Sequence, residues 1–249
     1  MASKPNIENK IDKMKIIHII PSLIQGGAER IVIDIVRELM KKDEIDVRLI
    51  IFRDNIKYEI NDMKNNVIHI PSSVQLSVWK KNKFDLKDLN SFIEKFQPDI
   101  IHTHLFEAEI ISRSLYYPKV KWFSHFHDNM PQLMNFSLST LFDKKLLTNF
   151  YEKKYLLNHY KSNGGNQFIS ISQDTNSYAL KVLPKAYKFH YLKNAIDFKK
   201  FNKVKLNKNE NILHLINVGS FQAKKNQQFL IDIAYIMKQQ NIKFHLKLL

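Results

Sequence analysis

His102 and His104 flank Thr103 in the stretch DIIHTH, and alternation along an extended chain points both imidazoles to one face. Two imidazoles at the end of an apolar run are either the start of a metal site or a pair of packing and supporting groups. No Asp/Glu/His cluster completes a ligand set, and H-E-x-x-H is absent, so no metal is expected. His127, followed by Asp128 in HFHD, closes another apolar run. An imidazole donates and accepts near neutral pH, so His127 can hydrogen-bond a ligand; the plainer alternative is a structural histidine at a strand end. Gly26 and Gly27 stand side by side in PSLIQGGAER, in a chain with only 5 glycines. Glycine there admits a sharp turn and close approach of a ligand to the backbone. The helix that follows offers unpaired N–H groups and a positive dipole end, which suit a phosphate or sugar. The competing reading is an ordinary tight turn. IQGGAER is not G-x-G-x-x-G, and no G-x-x-x-x-G-K-[ST] occurs, so neither a dinucleotide fingerprint nor a P-loop is present.

These residues lie where short β-branched runs meet helical patterns. KIIHII reads as a strand, and from Ala28 the apolar residues Ile31, Ile35 and Leu39 recur at helical spacing, with Val32 and Val36 beside them. DVRLIIF and VIHI are the next strands, and FDLKDLNSFIEKF is an amphipathic helix ending before Pro98. DIIHTH, a helix over Glu107–Tyr116, VKWFSHF, a long helix over roughly Leu138–Tyr160, QFISIS, a helix over Gln173–Leu183 and KFHYL follow in order. Strands alternating with helices predict an α/β fold with a doubly wound parallel sheet. The apolar runs do not alternate, as expected when helices cover both faces. The polar stretch NAIDFKKFNKVKLNKNEN then reads as a linker. Beyond it come a strand ILHLINVGS, a helix over Gln227–Gln240 and a strand IKFHLKLL. The expected division is 14–195, a linker 196–211, and 212–249. A single β-α-β unit cannot bury both faces of its strands, so the sequence is expected to be a piece of a longer protein.

The totals narrow the function. The 249 residues are 44% hydrophobic and 25% charged, as in an ordinary globular protein. No cysteine is present, which removes disulfides, thiolate metal sites and a cysteine nucleophile, and suits a reducing compartment. MASKPNIENKIDK has no apolar core, so it does not read as a secretory signal, and a cytoplasmic location is expected. The net charge of +15 favours anionic partners. There is no zinc-finger spacing, RNP signature or basic cluster with interleaved aromatics, so nucleic acid is not the expected partner. The segment LFDKKLLTNFYEKKYLLNHY mixes leucines, aromatics and lysines. It is expected to pack on the sheet with its lysines solvated; peripheral contact with an anionic membrane face is the alternative.

The order GGAER, PDIIHTH, HFHD, FISIS, LKNAIDFKKF and NVGSFQAKKNQQFLI resembles that of GT-B glycosyltransferases of family four, across Lys15 to Leu249. The resemblance implies a GT-B fold. An N-terminal Rossmann-like domain would bind the acceptor and a second, nucleotide-sugar-binding one would face it; this chain carries only the opening of the second. It implies retaining transfer without metal or other cofactor. The donor would be a nucleotide-sugar and the acceptor a glycan or lipid-linked glycan, in surface polysaccharide assembly. By the same resemblance, Gly26 and Gly27 match the glycine loop near the donor diphosphate, and His127, beside Asp128, matches a histidine at the reaction centre. His104 and Glu107 are expected to line the cleft. NAID matches the hinge stretch N-G-x-D through Asn194, with Ala195 replacing the glycine. VGSFQAKKN matches the diphosphate-binding turn. Lys225 keeps its lysine, while Ser220 and Gln222 stand where the paired arginine commonly falls. Transfer builds negative charge on the leaving diphosphate, which Lys225 and a helix N-terminus would stabilise. The family's two late glutamates, separated by seven residues, are not in this sequence. A non-catalytic binding module of the same fold is therefore the alternative to an enzyme.

Overall fold

An apolar run that does not alternate needs cover on both faces, and the chain provides it with helices on either side of a parallel sheet. The computed structural model describes residues 12–137, 143–197, 212–219, 221 and 223–249. It divides into two compact units, with the boundary in the sequence between Ile196 and Asp197.

The first unit holds β1 (Met14–Ile20), α1 (Gly27–Met40), β2 (Ile45–Ile51), β3 (Val67–His69), β4 (Ser73–Gln75) and β5 (Lys83–Asp85). It continues through α2 (Lys87–Phe96), β6 (Ile100–His104), α3 (Phe106–Arg113), β7 (Lys121–Phe126), α4 (Lys144–Asn163), β8 (Asn166–Ser170), α5 (Gln173–Val182) and β9 (Lys188–Tyr191). Seven strands form one sheet in the order β3-β2-β1-β6-β7-β8-β9, every pair parallel.

The reversal of direction at β1 and β6 decides which helix lies where, because right-handed crossovers running in opposite directions land on opposite faces. Ile16 and Ile20 of β1 join Val32, Ile33 and Val36 of α1 in one core. Ile17 and Ile19, pointing the other way, join Leu89 and Ile93 of α2, Ala108, Ile110 and Ile111 of α3, and Trp122. A third core puts Leu156 and Tyr160 of α4 and Ala179 and Val182 of α5 against Phe126 and Phe168.

Three readings are refined. The β4–β5 pair is antiparallel and has no counterpart among the expected strands; three residues are too few to show a period. Phe84, read as the start of an amphipathic helix, sits in β5 opposite Val74, and the helix begins at Lys87. The long helix is described from Lys144, with its expected start at Leu138 outside the described residues, and it runs past Tyr160 to Asn163. The Asp143 carboxylate caps it, accepting from the amides of Lys145 at 2.7 Å and Leu146 at 3.1 Å. This helix packs on the sheet as expected, and among the described residues no helix is long and apolar enough to cross a membrane. Lys153 departs from the solvated pattern: it is buried, and its ammonium donates to Asn135 Oδ1 at 2.6 Å.

The second unit pairs β10 (Leu213–Asn217) in parallel with β11 (Phe244–Leu248), joined through α6 (Gln227–Gln239). Ile216, Val218, Phe229 and Tyr235 are exposed, as a lone β-α-β unit leaves them. Most of the expected linker, 198–211, lies outside the described residues.

Candidate functional site

Parallel pairing brings together histidines that the sequence keeps apart. His18 on β1 stands opposite His102 on β6, and His104 opposite His125 on β7. Residues in register share a face, so His18, His102, His104, His125 and the following His127 form one stripe rising toward the carboxyl ends of the strands. Consecutive rings lie near one another, with His125 and His127 stacked at 4.2 Å between centroids and 19°. His18 Nδ1 and His104 Nε2 are 3.0 Å apart, and His104 Nδ1 and His127 Nε2 are also 3.0 Å apart. His104 donates through one nitrogen and accepts through the other, so the three rings make a polarised chain.

Burial disfavours charge throughout the stripe. It pushes His18 and His127 down to about 4, and His125 to about 3, where neighbouring imidazoles add repulsion. His102 and His104 are lowered well below the ordinary range for the same reasons. His127 is half-buried, the open end of a closed row. Read along one strand, the sequence offered His102 and His104 alone. The sheet supplies the neighbours that reading lacked, from β1 and β7.

The glycine turn follows a different logic from the expected one. Gly26 has φ −164°, extended backbone that any residue adopts, so no left-handed geometry requires it. What glycine gives there is room for a side chain: a Cβ would meet the Glu29 carboxylate, its Cδ at 3.0 Å, and displace it. Glu29 is buried in the first turn of α1, folded back over Gly26. Burial raises its pKa, and a hydrogen bond from its own amide opposes the rise. A carboxylate of the chain itself thus sits at the positive end of α1. Tyr58 clamps the same turn, its hydroxyl accepting from the Gly26 amide at 3.1 Å and donating to the Gly26 carbonyl at 2.7 Å. Gly27, exposed, has nothing near a Cβ.

Glu107, in the first turn of α3, is half-buried and holds Arg53 in a two-pronged ion pair, one prong at 2.9 Å. Between His104 and α3, Leu105 adopts φ 70° and ψ 153°, a region that is essentially glycine's. Sequence gives no sign of this strained leucine. Asp128 is exposed near Tyr178, whose hydroxyl donates to the Met130 carbonyl at 2.5 Å. Burial, and then Asp128, push Tyr178 up to about 12. Asn194 is exposed beyond β9 in a stretch without regular structure. Lys225 belongs to the second unit, exposed on a 3-10 turn (Ala223–Lys225) ahead of α6. Ser220 and Gln222 lie outside the described residues.

Behind the stripe, on the opposite face, a buried ion pair holds the supporting strands. Arg113 Nε donates to Glu109 Oε1 at 3.0 Å, and both side chains are fully enclosed. Arg113 also donates to Asn166 Oδ1 at 2.6 Å and to Ser124 Oγ at 3.1 Å, while Thr103 donates to Glu109. Its guanidinium lies between Trp122 at 4.4 Å and Tyr160 at 4.8 Å. The i,i+4 spacing of Glu109 and Arg113 was the available signal, and it suggests an ordinary surface pair.

A seven-stranded parallel unit with its histidines at the strand mouths, followed by a β-α-β unit, defines the class: a GT-B type α/β protein. The chain belongs to glycosyltransferase family 4, whose model matches residues 25–200. Among solved structures it is similar to sucrose-phosphate synthase (tll1590) from Thermosynechococcus elongatus, at 12% identity and TM-score 0.53, over 94% of this chain and 70% of that one. It is similar to the lipopolysaccharide outer core galactosyltransferase WaaB in its apo form, at 12% identity and TM-score 0.55, over 94% of this chain and 60% of that one. A third is S. aureus MnaA in a co-structure with UDP, at 11% identity and TM-score 0.53, over 94% of this chain and 62% of that one. At these identities the likeness is one of fold. No curated protein matches the chain significantly.

Proposed function

We propose that the chain carries the acceptor-side half, and the opening of the donor-side half, of an enzyme that moves a sugar from a nucleotide-sugar to a glycan or lipid-linked acceptor. The observation that carries this reading is the imidazole chain from His18 through His104 to the half-exposed His127, at the strand mouths of a family 4 chain. The carboxyl ends of parallel strands are where α/β proteins gather their sites. Burial keeps His127 neutral at physiological pH, so it can hold a sugar or acceptor hydroxyl by hydrogen bond as transfer proceeds. His104 orients it from behind. The α1 amides would meet an anionic ligand only once the Glu29 carboxylate moves aside. By the resemblance Lys225 is assigned to the donor diphosphate, Asp128 to the reaction centre beside His127, and Asn194 to the hinge; Glu107, close after β6, is assigned to the lining of the cleft.

A nucleotide donor is supported by the shared fold with a protein solved with UDP. Retaining transfer without a metal, a part in surface polysaccharide assembly, and a cytoplasmic site of action belong to the same proposal and rest on family membership. Contact with an anionic membrane stays with it as the way a lipid-linked acceptor would be met.

The test is transfer from UDP-, GDP- and ADP-sugars by the native gene product, wild type against His127→Ala. Turnover should fall at least about tenfold with unchanged circular dichroism, about 1.4 kcal/mol of lost transition-state stabilisation. Equal turnover in the folded variant would overturn the role of His127. Failure with every donor would overturn the reading as a whole.

A further inference from the structure

Two three-histidine groups lie in the stripe, His18–His102–His104 and His104–His125–His127, and in each the ring nitrogens that could act as ligands lie within 4.8 Å of one another. The hydrogen bonds described above use three of the five rings. His102 Nε2 and both nitrogens of His125 are buried with no protein partner among the described residues. An unpaired buried polar atom costs on the order of 1–3 kcal/mol. A ring orphaned at both nitrogens, beside other imidazoles, points to a ligand that is not protein.

We propose that His104, His125 and His127 form a binding site for a divalent late first-row transition metal, with zinc as the reference occupant. Three neutral imidazoles suit zinc, nickel or copper, whereas magnesium and calcium take oxygen ligands. A neutral imidazole presents the lone pair such an ion needs. His104 binds through Nδ1, the nitrogen facing His127. Its Nε2 is then the protonated one and donates to His18 Nδ1, the outer hydrogen bond that fixes tautomer and orientation in histidine metal sites. His127 binds through Nε2, and its half-exposed ring gives the entry path. His125 must turn, because its ring stacks on that of His127 and a ring's lone pair lies in its own plane. Neither of its nitrogens is held, so turning breaks no hydrogen bond. Metal and the His104–His127 hydrogen bond exclude each other. Bound metal would occupy His127 Nε2 and break the His104–His127 contact on which the proposed transfer role rests, so metal-bound and transfer-competent states are alternatives, and the metal test needs no substrate.

The experiment titrates cobalt(II) into the untagged, chelator-treated 249-residue chain and follows the visible spectrum, with zinc then added as competitor. Saturable, intense bands of low-coordinate cobalt, abolished by zinc, are expected. His125→Phe and His127→Gln should each remove them. His18→Gln should weaken binding about tenfold or more, as losing an outer-shell partner does. The double variant His214→Asn/His245→Asn, which removes the adjacent pair on β10 and β11, should leave them intact. Circular dichroism accompanies each variant, and His127→Gln, altering a half-exposed ring, serves if His125→Phe does not fold. No low-coordinate spectrum with the wild type would overturn the proposal. So would a spectrum that survives His127→Gln, or one that disappears with His214 and His245.

Discussion

His18 and His104 lie 86 positions apart in sequence, yet their rings meet at 3.0 Å across two adjacent strands. That contact exists only when β1 and β6 are paired in register, and it exists between uncharged rings. Unfolded, each histidine regains its ordinary pKa near 6.5. Folded, His18 and His127 stay neutral down to about 4 and His125 to about 3. Between those limits the unfolded chain binds more protons, so stability rises with pH. With chelator present, urea midpoints should be flat above about pH 7 and fall steadily from about pH 6.5 toward pH 4. The loss is about 1.4 kcal/mol for each pH unit over which a ring is neutral only in the folded chain. The triple variant His18→Gln/His102→Gln/His125→Gln should make the slope in that window shallower, leaving the share that His104 and His127 carry. An unchanged slope would refute the assignment to this stripe.

The two adjacent glycines should respond differently to alanine. Gly27→Ala puts a methyl into open space at the first position of a helix and should stabilise by up to about 1 kcal/mol. Gly26→Ala drives the Glu29 carboxylate from its place and should cost about 1 kcal/mol, the worth of a carboxylate at a helix N-terminus. In a Glu29→Ala background the same Gly26→Ala change should cost little. A double-mutant cycle in urea checks the coupling, and additive energies would count against it.

Removing one member of the enclosed ion pair leaves the other charged and alone. Arg113→Met should cost about 3–5 kcal/mol, whereas Arg113→Met with Glu109→Leu should recover a good part of that. Thermal or urea unfolding of the three proteins decides it. A double variant worse than the single would show that the pair stabilises the fold outright.

Leu105 should invert the usual order of alanine and glycine. Its φ of 70° with ψ of 153° penalises any Cβ, by about 1–3 kcal/mol. Leu105→Gly should therefore be more stable than Leu105→Ala by on the order of 1 kcal/mol, since both lose the same packing against the α1 core. Urea unfolding of the pair measures it, and the ordinary order would show that the strain is absent.

The strand-and-helix alternation was legible because each element carries its own pattern: Ile31, Ile35 and Leu39 mark α1, and the non-alternating stretch IIHII marks a doubly covered strand. The hairpin of β4 and β5 was not, since its strands are too short to show one. The site was legible only in pieces. His102 and His104 announce themselves within one strand. His18 and His125 join them through register, a property of paired strands that no single stretch expresses. At the glycine turn the sequence did not foretell the backbone: Gly26 is extended, and the Glu29 carboxylate three residues on folds over it. Arg113 was invisible because an i,i+4 pair on a helix reads the same whether it faces water or the sheet.

The guanidinium of Arg113 ties α3 to β7 and β8, and through Glu109 to Thr103 of β6. Four elements share one clasp, so none of them can peel away without stranding a charge in oil-like surroundings. Amide protons in this quarter of the sheet should therefore exchange together, in one concerted opening, while the β4–β5 hairpin trades its protons on its own schedule.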